Sequence, residues 1–303
     1  MAKPSAAKVE GQKAKEAEAF ISSPIERDGG AIEPVAFEPI EAPEKRDERF
    51  QLRVRGLRKT FGEQQVLRGV ELDIVRGKIN VVIGGSGAGK SVLMKHLIGL
   101  LKPNEGHIWV DGEDIVPMND FTLNKVRQKF GMLFQYAALF DSMTIEENVM
   151  FPLMEHKKRT MPRPRMRELV QEKLHALGLF NIEQKYPSEL SGGMRKRVGL
   201  ARAIVMEPEI LFYDEPTTGL DPVATKNVDD MIKEIADKLS VTSVVISHDM
   251  ASTFRIGHRV SMLYKGQIIA SGSPQEILDD PPAPLREFLQ TSGTVQLPQG
   301  KGR

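Results

Sequence analysis

The sequence predicts a layered α/β fold, and two observations carry that expectation. Three short apolar runs, residues 79–83, 210–213 and 244–246, suit strands buried on both faces of a parallel sheet. Helical patterns alternate with them: residues 90–101 follow the first run, and Pro222–Leu239 separates the second from the third. Strands and helices in alternation, at these lengths, build an α/β layer.

In chain order, residues 1–49 are rich in Ala, Glu, Lys and Pro and sparse in apolar residues. Such a stretch cannot bury enough apolar surface to offset its conformational entropy. It reads as a disordered N-terminal extension with room for a short helix near residues 6–20, either a solvated tail or an arm that docks on a partner. Residues 50–55 and 65–74 read as strands, the second alternating at Val70, Leu72 and Ile74. Residues 136–203 show no convincing strand and look mostly helical, whereas 279–284 and 291–303 read as loop and tail. The expected organisation is an extension over 1–49, one domain over 50–279 with its helical part at 136–203, and a C-terminal tail over 280–303.

Composition narrows the function classes. Lys+Arg 42 against Asp+Glu 41 leaves a net charge of +1 on 303 residues, which argues against bulk electrostatic binding of nucleic acid. Zero cysteines exclude disulfides, cysteine-ligated zinc, iron–sulfur clusters and thiol catalysis, and agree with a reducing compartment. No apolar run approaches the roughly 20 residues needed to span a bilayer. The N-terminal lysines are not followed by an apolar stretch of signal-peptide length.

The strongest local signal is Gly84-Gly85-Ser86-Gly87-Ala88-Gly89-Lys90-Ser91. It matches G-x-x-x-x-G-K-[ST] and lies between an apolar strand and a helical pattern. Glycines let the backbone wrap closely enough for its N–H groups to face phosphate oxygens, and the following helix N-terminus adds partial positive charge. In this pattern Lys90 reaches the β- and γ-phosphates and Ser91 is a ligand for Mg²⁺. The run Ile210-Leu211-Phe212-Tyr213 ends in Asp214 and Glu215. Asp214 is placed to hold Mg²⁺ through its shell, and Glu215 to orient or deprotonate the water that attacks the γ-phosphate. These two motifs indicate a nucleoside triphosphatase.

A third element, Leu190-Ser191-Gly192-Gly193-Met194 before a basic helical run, resembles the LSGGQ signature of ABC-transporter ATPases. Physically it is a second anion site, a serine and two glycines opening a helix. The other motifs of that family are present in order. Phe61 matches the aromatic that stacks on adenine, Gln135 the Q-loop glutamine near Mg²⁺ and the attacking water, Asp221 in Gly219-Leu220-Asp221 the D-loop, and His248 the switch histidine at the γ-phosphate. The resemblance covers residues 50–278. It implies a P-loop NTPase (RecA-like) ABC ATPase core with an antiparallel β-subdomain and an α-helical signature subdomain, ATP and Mg²⁺ at the site, and catalysis through Glu215, His248 and Gln135. It also implies a head-to-tail homodimer in which Ser191, Gly192 and Gly193 of one subunit face the ATP of the other, and a separate integral membrane permease. Met194 departs from the family pattern, because methionine cannot supply the hydrogen bonds of glutamine.

Within that family, LSGGM followed by Arg195-Lys196-Arg197, the stretch 134–149, and Lys95-His96 resemble the ATPases of the Mla/MCE lipid-transport branch. That implies a peripheral subunit on the cytoplasmic face of the bacterial inner membrane and a periplasmic MCE lipid-binding protein, moving phospholipids between the inner and outer membranes. Import of amino acids or another small solute is the alternative. A non-transport ABC ATPase of DNA repair or translation is disfavoured by the single motif set and by the compact region between Lys90 and Ser191. Lys157, Lys158, Arg159, Arg163, Arg165 and Arg167 form a basic cluster, either a solvated face or a contact for anionic lipid headgroups.

Overall fold

Period-two alternation in the central strands sends neighbouring side chains into two different cores. In the strands that contain them, Ile79, Val81, Ile83, Leu211, Tyr213, Val245, Val260 and Met262 enter one core, while Val82, Ile210, Phe212, Val244, Ile246 and Leu263 enter the other. A sheet apolar on both faces must be covered on both, which is why residues 210–213 and 244–246 read as unbroken apolar runs.

The structure, a computed structural model, describes residues 47–292. The expected extension up to residue 46, its short helix, and the tail beyond residue 292 lie outside the described residues. Ten strands are present among the described residues: β1 (Phe50–Phe61), β2 (Gln64–Val75), β3 (Ile79–Ile83), β4 (Glu105–Val110), β5 (Glu113–Asp114), β6 (Phe130–Leu133), β7 (Ile210–Asp214), β8 (Thr242–Ser247), β9 (Arg259–Tyr264) and β10 (Gln267–Gly272). They form an antiparallel sheet in the order β2-β1-β4-β5 and a larger sheet in the order β10-β9-β3-β8-β7-β6. The larger sheet is parallel except for its edge strand β10.

One core joins the antiparallel sheet, through Leu52, Val54, Leu72 and Ile108, to the helix Lys90–Leu97 and one face of the larger sheet. The other face is covered by the helices Ile145–Lys157, Arg163–Ala176, Gly192–Ile204 and Pro222–Leu239. Between residues 136 and 203 there are three α-helices, one 3₁₀ turn and no strand.

Three expectations need adjustment. The strand expected at 50–55 runs on to Phe61. The helix expected to reach residue 101 stops at Leu97, because Gly99 turns to φ 71 and the N–H groups of Leu100 and Leu101 donate back to the Lys95 carbonyl at 2.8 and 3.1 Å. The region read as loop and tail from 279 contains the helix Ala283–Ser292, with Leu285 and Leu289 fully buried. Ten residues make a marginal helix alone. Two buried leucines contribute roughly 1.5–3 kcal/mol each, enough to hold it on the core.

Asn80 interrupts the apolar run of β3 yet is 2% exposed. Its amide is fully used: Oδ1 accepts from the Val75 N–H at 2.8 Å, and Nδ2 donates to the carbonyls of Val75 and Lys78 at 3.0 and 2.9 Å. It pins the turn that delivers the chain into the centre of the sheet.

Candidate active site

The parallel strands end on one edge, and the candidate residues follow their carboxyl ends, the usual place for a ligand in an open α/β sheet. Gly84 follows β3, Gln135 follows β6, Glu215 follows β7 and His248 follows β8. Because β6 and β7 pair with Leu133 opposite Tyr213, and β7 and β8 with Asp214 opposite Ile246, three of these exits lie side by side.

The loop after β3 has its tightest requirement at Gly84, where a Cβ would stand 2.3 Å from the Leu263 carbonyl oxygen. At its end Gly89 holds φ 102 as the N-cap of the helix Lys90–Leu97, which has no side-chain cap. The N-terminal N–H groups of that helix are therefore not consumed by a capping side chain. Lys90 Nζ donates to the carbonyls of Gly84 and Gly85 at 2.7 and 3.3 Å and stands 3.5 Å from a Glu215 carboxylate oxygen. Ser91 is exposed at the same helix start.

Glu215 is held with φ 49, a left-handed conformation costly for a residue with a side chain. Its N–H donates to the Ile246 carbonyl at 2.9 Å, which fixes the residue to β8. Its Oε2 accepts from Thr218 Oγ1 at 3.2 Å and from His248 Nδ1 at 2.5 Å. An ionised carboxylate only accepts, so Nδ1 carries the proton of that bond and Nε2 is left for another partner. His248 lies between the end of β8 at Ser247 and Asp249, which caps the helix Met250–Ile256 by accepting from the Ser252 N–H at 3.0 Å.

Asp214 is half-buried, and its carboxylate forms no hydrogen bond or ion pair among the described residues. Burial and the neighbouring Glu215 charge push its pKa up, against the pull of Lys90 and Lys95. Among the described residues no group of three or more His, Cys, Asp or Glu is gathered to hold a metal ion. That arrangement still fits Mg²⁺, which usually takes one or two carboxylates and completes its shell with phosphate oxygens and water. The unengaged Asp214 carboxylate and the Ser91 hydroxyl are oxygen donors of the required kind.

Contacts thus bring together Lys90, Glu215 and His248. Phe61 stands apart at the end of β1, 45% exposed, with Lys59 Nζ 5.2 Å from its ring centre. Gln135 is partly exposed, its Nε2 3.4 Å from the Tyr136 hydroxyl. Ser191, Gly192 and Gly193 are exposed, and Ser191 Oγ caps the helix Gly192–Ile204 by accepting from the Met194 N–H at 3.3 Å. Met194 packs against the larger core, so its side chain anchors the start of the helix. Asp221 caps Pro222–Leu239, its Oδ1 accepting from the N–H groups of Val223 and Ala224, both at 2.9 Å. Those bonds, the one from Ala224 first, hold its pKa below the usual carboxylate range.

Sequence reading gave no structural contact to two cations on the helix Gly192–Ile204. Lys196 is buried, and its Nζ donates to the carbonyl of Pro216, the residue after Glu215. Burial pushes its pKa down. Arg202 donates to the carbonyls of Ala137 and Ala138 beyond Gln135, at 2.6 and 2.8 Å. The signal was a basic residue repeatedly set into an otherwise apolar helix. In the basic cluster, Arg165 pairs with Glu168 at 2.9 Å and Arg167 with Glu146 at 3.0 Å. Lys158, Arg159 and Arg163 have no ion pair among the described residues.

Comparison with known proteins gives the family. Residues 67–218 match the family model described as ABC transporter. The chain is 41% identical over 238 residues to the probable ribonucleotide transport ATP-binding protein mkl of Mycobacterium leprae, covering 78% of this chain and 68% of that one. It is 39% identical over 236 residues to the intermembrane phospholipid transport system ATP-binding protein MlaF of Escherichia coli K12, covering 78% of this chain and 87% of that one. It is 38% identical over 250 residues to the methionine import ATP-binding protein MetN of Carboxydothermus hydrogenoformans, covering 81% and 73%. Among solved structures, cbiO1 of Clostridium perfringens, part of the cbiONQ complex, superposes with a TM-score of 0.70 at 29% identity over 80% of this chain and 95% of that one. The ATP-binding cassette MJ0796, a dimer bound to ADP and Pi, superposes with a TM-score of 0.67 at 29% identity over 74% and 98%. No helix among the described residues is long and apolar enough to cross a membrane. The chain belongs to the ABC transporter family, as an ATP-binding subunit that hydrolyses ATP.

Proposed function

We propose that this chain drives phospholipid transport between the inner and outer membranes of a bacterium. Two copies close head to tail around two ATP molecules on the cytoplasmic face of the inner membrane. They act through a separate integral membrane permease and with a periplasmic MCE lipid-binding protein. The observation that carries the lipid reading is the signature 190–194, ending in Met194 and followed by Arg195, Lys196 and Arg197. It stands on a chain 39% identical to MlaF over 87% of that protein.

The contacts and the family resemblance support the following roles. Residues 84–89 wrap the phosphates, and Lys90 exchanges its loop carbonyls and Glu215 for the β- and γ-phosphates. Glu215, freed from Lys90, accepts the proton of the attacking water, while His248 holds it through Nδ1 and offers Nε2 to the γ-phosphate. Phe61 stacks on adenine, and Gln135 orients the water. Ser191, Gly192 and Gly193 of the second copy close on the γ-phosphate, with Asp221 at the same junction. Ser91, Asp214 and Gln135 would hold Mg²⁺, which when bound neutralises charge on the phosphate oxygens.

Two surfaces support the membrane side of this reading. A groove of about 430 Å³ beside Gln135, lined by Phe130, Phe134, Phe140, Phe151 and Arg127, is apolar enough to take a short segment of the permease. Lys158, Arg159 and Arg163, without an ion pair among the described residues, suit anionic headgroups. Charge reversal at these three positions is expected to lower co-sedimentation with anionic vesicles at unchanged ATP affinity; unchanged co-sedimentation rejects that contact.

Purification of the native membrane complex, with mass spectrometry of its proteins and bound lipids, tests the whole reading. The expected result is an Mla-type permease carrying phospholipid. A solute-specific permease without enriched lipid overturns it, in favour of import of an amino acid or another small solute.

A further inference from the structure

The loop after Gln135 contains two consecutive left-handed residues that are not glycine, Ala137 at φ 60 and Ala138 at φ 47. L-residues visit this region singly, and seldom without a polar side chain to assist. Two in succession need something outside the loop to hold them. That something is on the helix Gly192–Ile204. The guanidinium of Arg202 donates one N–H to the Ala137 carbonyl at 2.6 Å and another to the Ala138 carbonyl at 2.8 Å. Its Cζ also lies 5.8 Å from the ring centre of Phe140. No carboxylate pairs with Arg202 among the described residues, so its charge is directed at these carbonyls and ring.

Two further contacts fix the same loop. Gly199, on the same helix, lies so close to Ala137 that a Cβ there would be 2.8 Å from the Ala137 Cβ. Downstream, Asn148 accepts from the Phe140 N–H at 2.8 Å and donates to the carbonyls of Phe140, Met143 and Thr144 at 3.0, 3.1 and 3.0 Å. The helix that opens at the signature serine therefore grips the loop that follows the candidate water-orienting glutamine.

We propose that Arg202 is a positioning residue for ATP hydrolysis: by holding Ala137 and Ala138 left-handed it fixes where Gln135 meets the nucleotide. The proposal rests on the reading of Gln135 as part of the hydrolytic site. Lysine cannot replace Arg202, because an ammonium lacks the rigid fork that spans two successive carbonyls.

The test is steady-state ATP hydrolysis by the full-length chain, with kcat, KM for ATP and Tm for each variant. Arg202→Lys is expected to lower kcat at least about tenfold, the scale of a small misplacement of a reacting group, with KM within about twofold. Adding Ala138→Gly is expected to recover part of kcat, because glycine adopts the left-handed conformation without strain. Should Arg202→Lys not fold, Ala138→Val with Arg202 intact asks the same question. Residue 138 is exposed, so valine meets no core, yet a β-branched residue resists the left-handed region and kcat is expected to fall similarly.

Wild-type kcat in Arg202→Lys or in Ala138→Val overturns the proposal, as does a loss in Arg202→Lys that Ala138→Gly leaves unrepaired. Gln135→Ala separates the two layers. If it lowers kcat while Arg202→Lys does not, only the clamp falls. If it leaves kcat unchanged, the reading of Gln135 falls and takes the clamp with it.

Discussion

The chain opens two helices with glycine-rich segments, and the two are built differently. The phosphate loop ends in a helix without a side-chain cap, and its Lys90 is already engaged by loop carbonyls and Glu215. The signature segment is exposed, its helix is capped by Ser191, and it forms no ion pair or hydrogen bond to Lys90, Glu215 or His248 among the described residues. In the first region the Glu215 carboxylate contacts both the Lys90 ammonium and the His248 ring, which supports the proposal that one chain binds the nucleotide phosphates and activates water. The second offers donors, a helix dipole and the exposed Arg195 at the helix start, and in the proposed head-to-tail dimer it is half of a site. The difference supports the proposed pairing of two copies, in which the phosphate loop of each chain is completed by the signature of the other.

The largest expected effect breaks the first region alone. Glu215→Gln keeps the shape and removes the base, so kcat is expected to fall by about 10²–10⁴ with ATP affinity preserved. Turnover at the native rate would remove Glu215 from catalysis. Next, Lys90→Ala is expected to weaken ATP binding roughly ten- to a hundredfold through the loss of charge-assisted bonds to phosphate. Calorimetry showing native affinity would undo the assignment of the cradle.

The comparison is sharpened by Ser191→Ala, expected to leave ATP binding to one chain intact while lowering turnover about tenfold. Head-to-tail pairing makes a further demand. A mixture of Lys90→Ala and Ser191→Ala chains should regain activity, because the mixed dimer contains one composite site with a native cradle and a native signature. A mixture no more active than either variant would contradict that pairing.

The smallest effect on hydrolysis is expected away from both segments. Asp111 is buried and bound by Arg76 at 2.7 Å and Lys129 at 2.6 Å. Burial raises its pKa, but these two partners outweigh it and leave the pKa lowered. A carboxylate with a depressed folded pKa contributes stability above its unfolded pKa, and that contribution is lost as pH falls through the folded value. Asp111→Asn should therefore cost roughly 1–3 kcal/mol at pH 7 and little in acid, with kcat at neutral pH nearly unchanged. Thermal unfolding across pH reads this directly; a difference independent of pH would assign the loss to packing instead.

Legibility followed locality. The phosphate loop could be read because strand, glycines, lysine and helix are consecutive, and the same holds for the signature and for Asp214 with Glu215. The strands β4, β9 and β10 escaped because Glu105, His107, Arg259, Ser261 and Gln267 interrupt their apolar pattern. The terminal helix escaped because only the packing of Leu285 and Leu289 makes it stable.

By itself the sequence determined which chemical groups exist and the order in which they follow the strands, because motifs of consecutive residues carry their own geometry. Only the tertiary structure decided which of them meet. Lys90, Glu215 and His248 come from three separate strand exits and converge because β3, β8 and β7 are neighbours in the sheet. Arg202 meets Ala137 and Ala138 across 65 and 64 residues of chain. No local propensity encodes such pairs: their free energy is gained only once the cores on both faces of the sheet have closed.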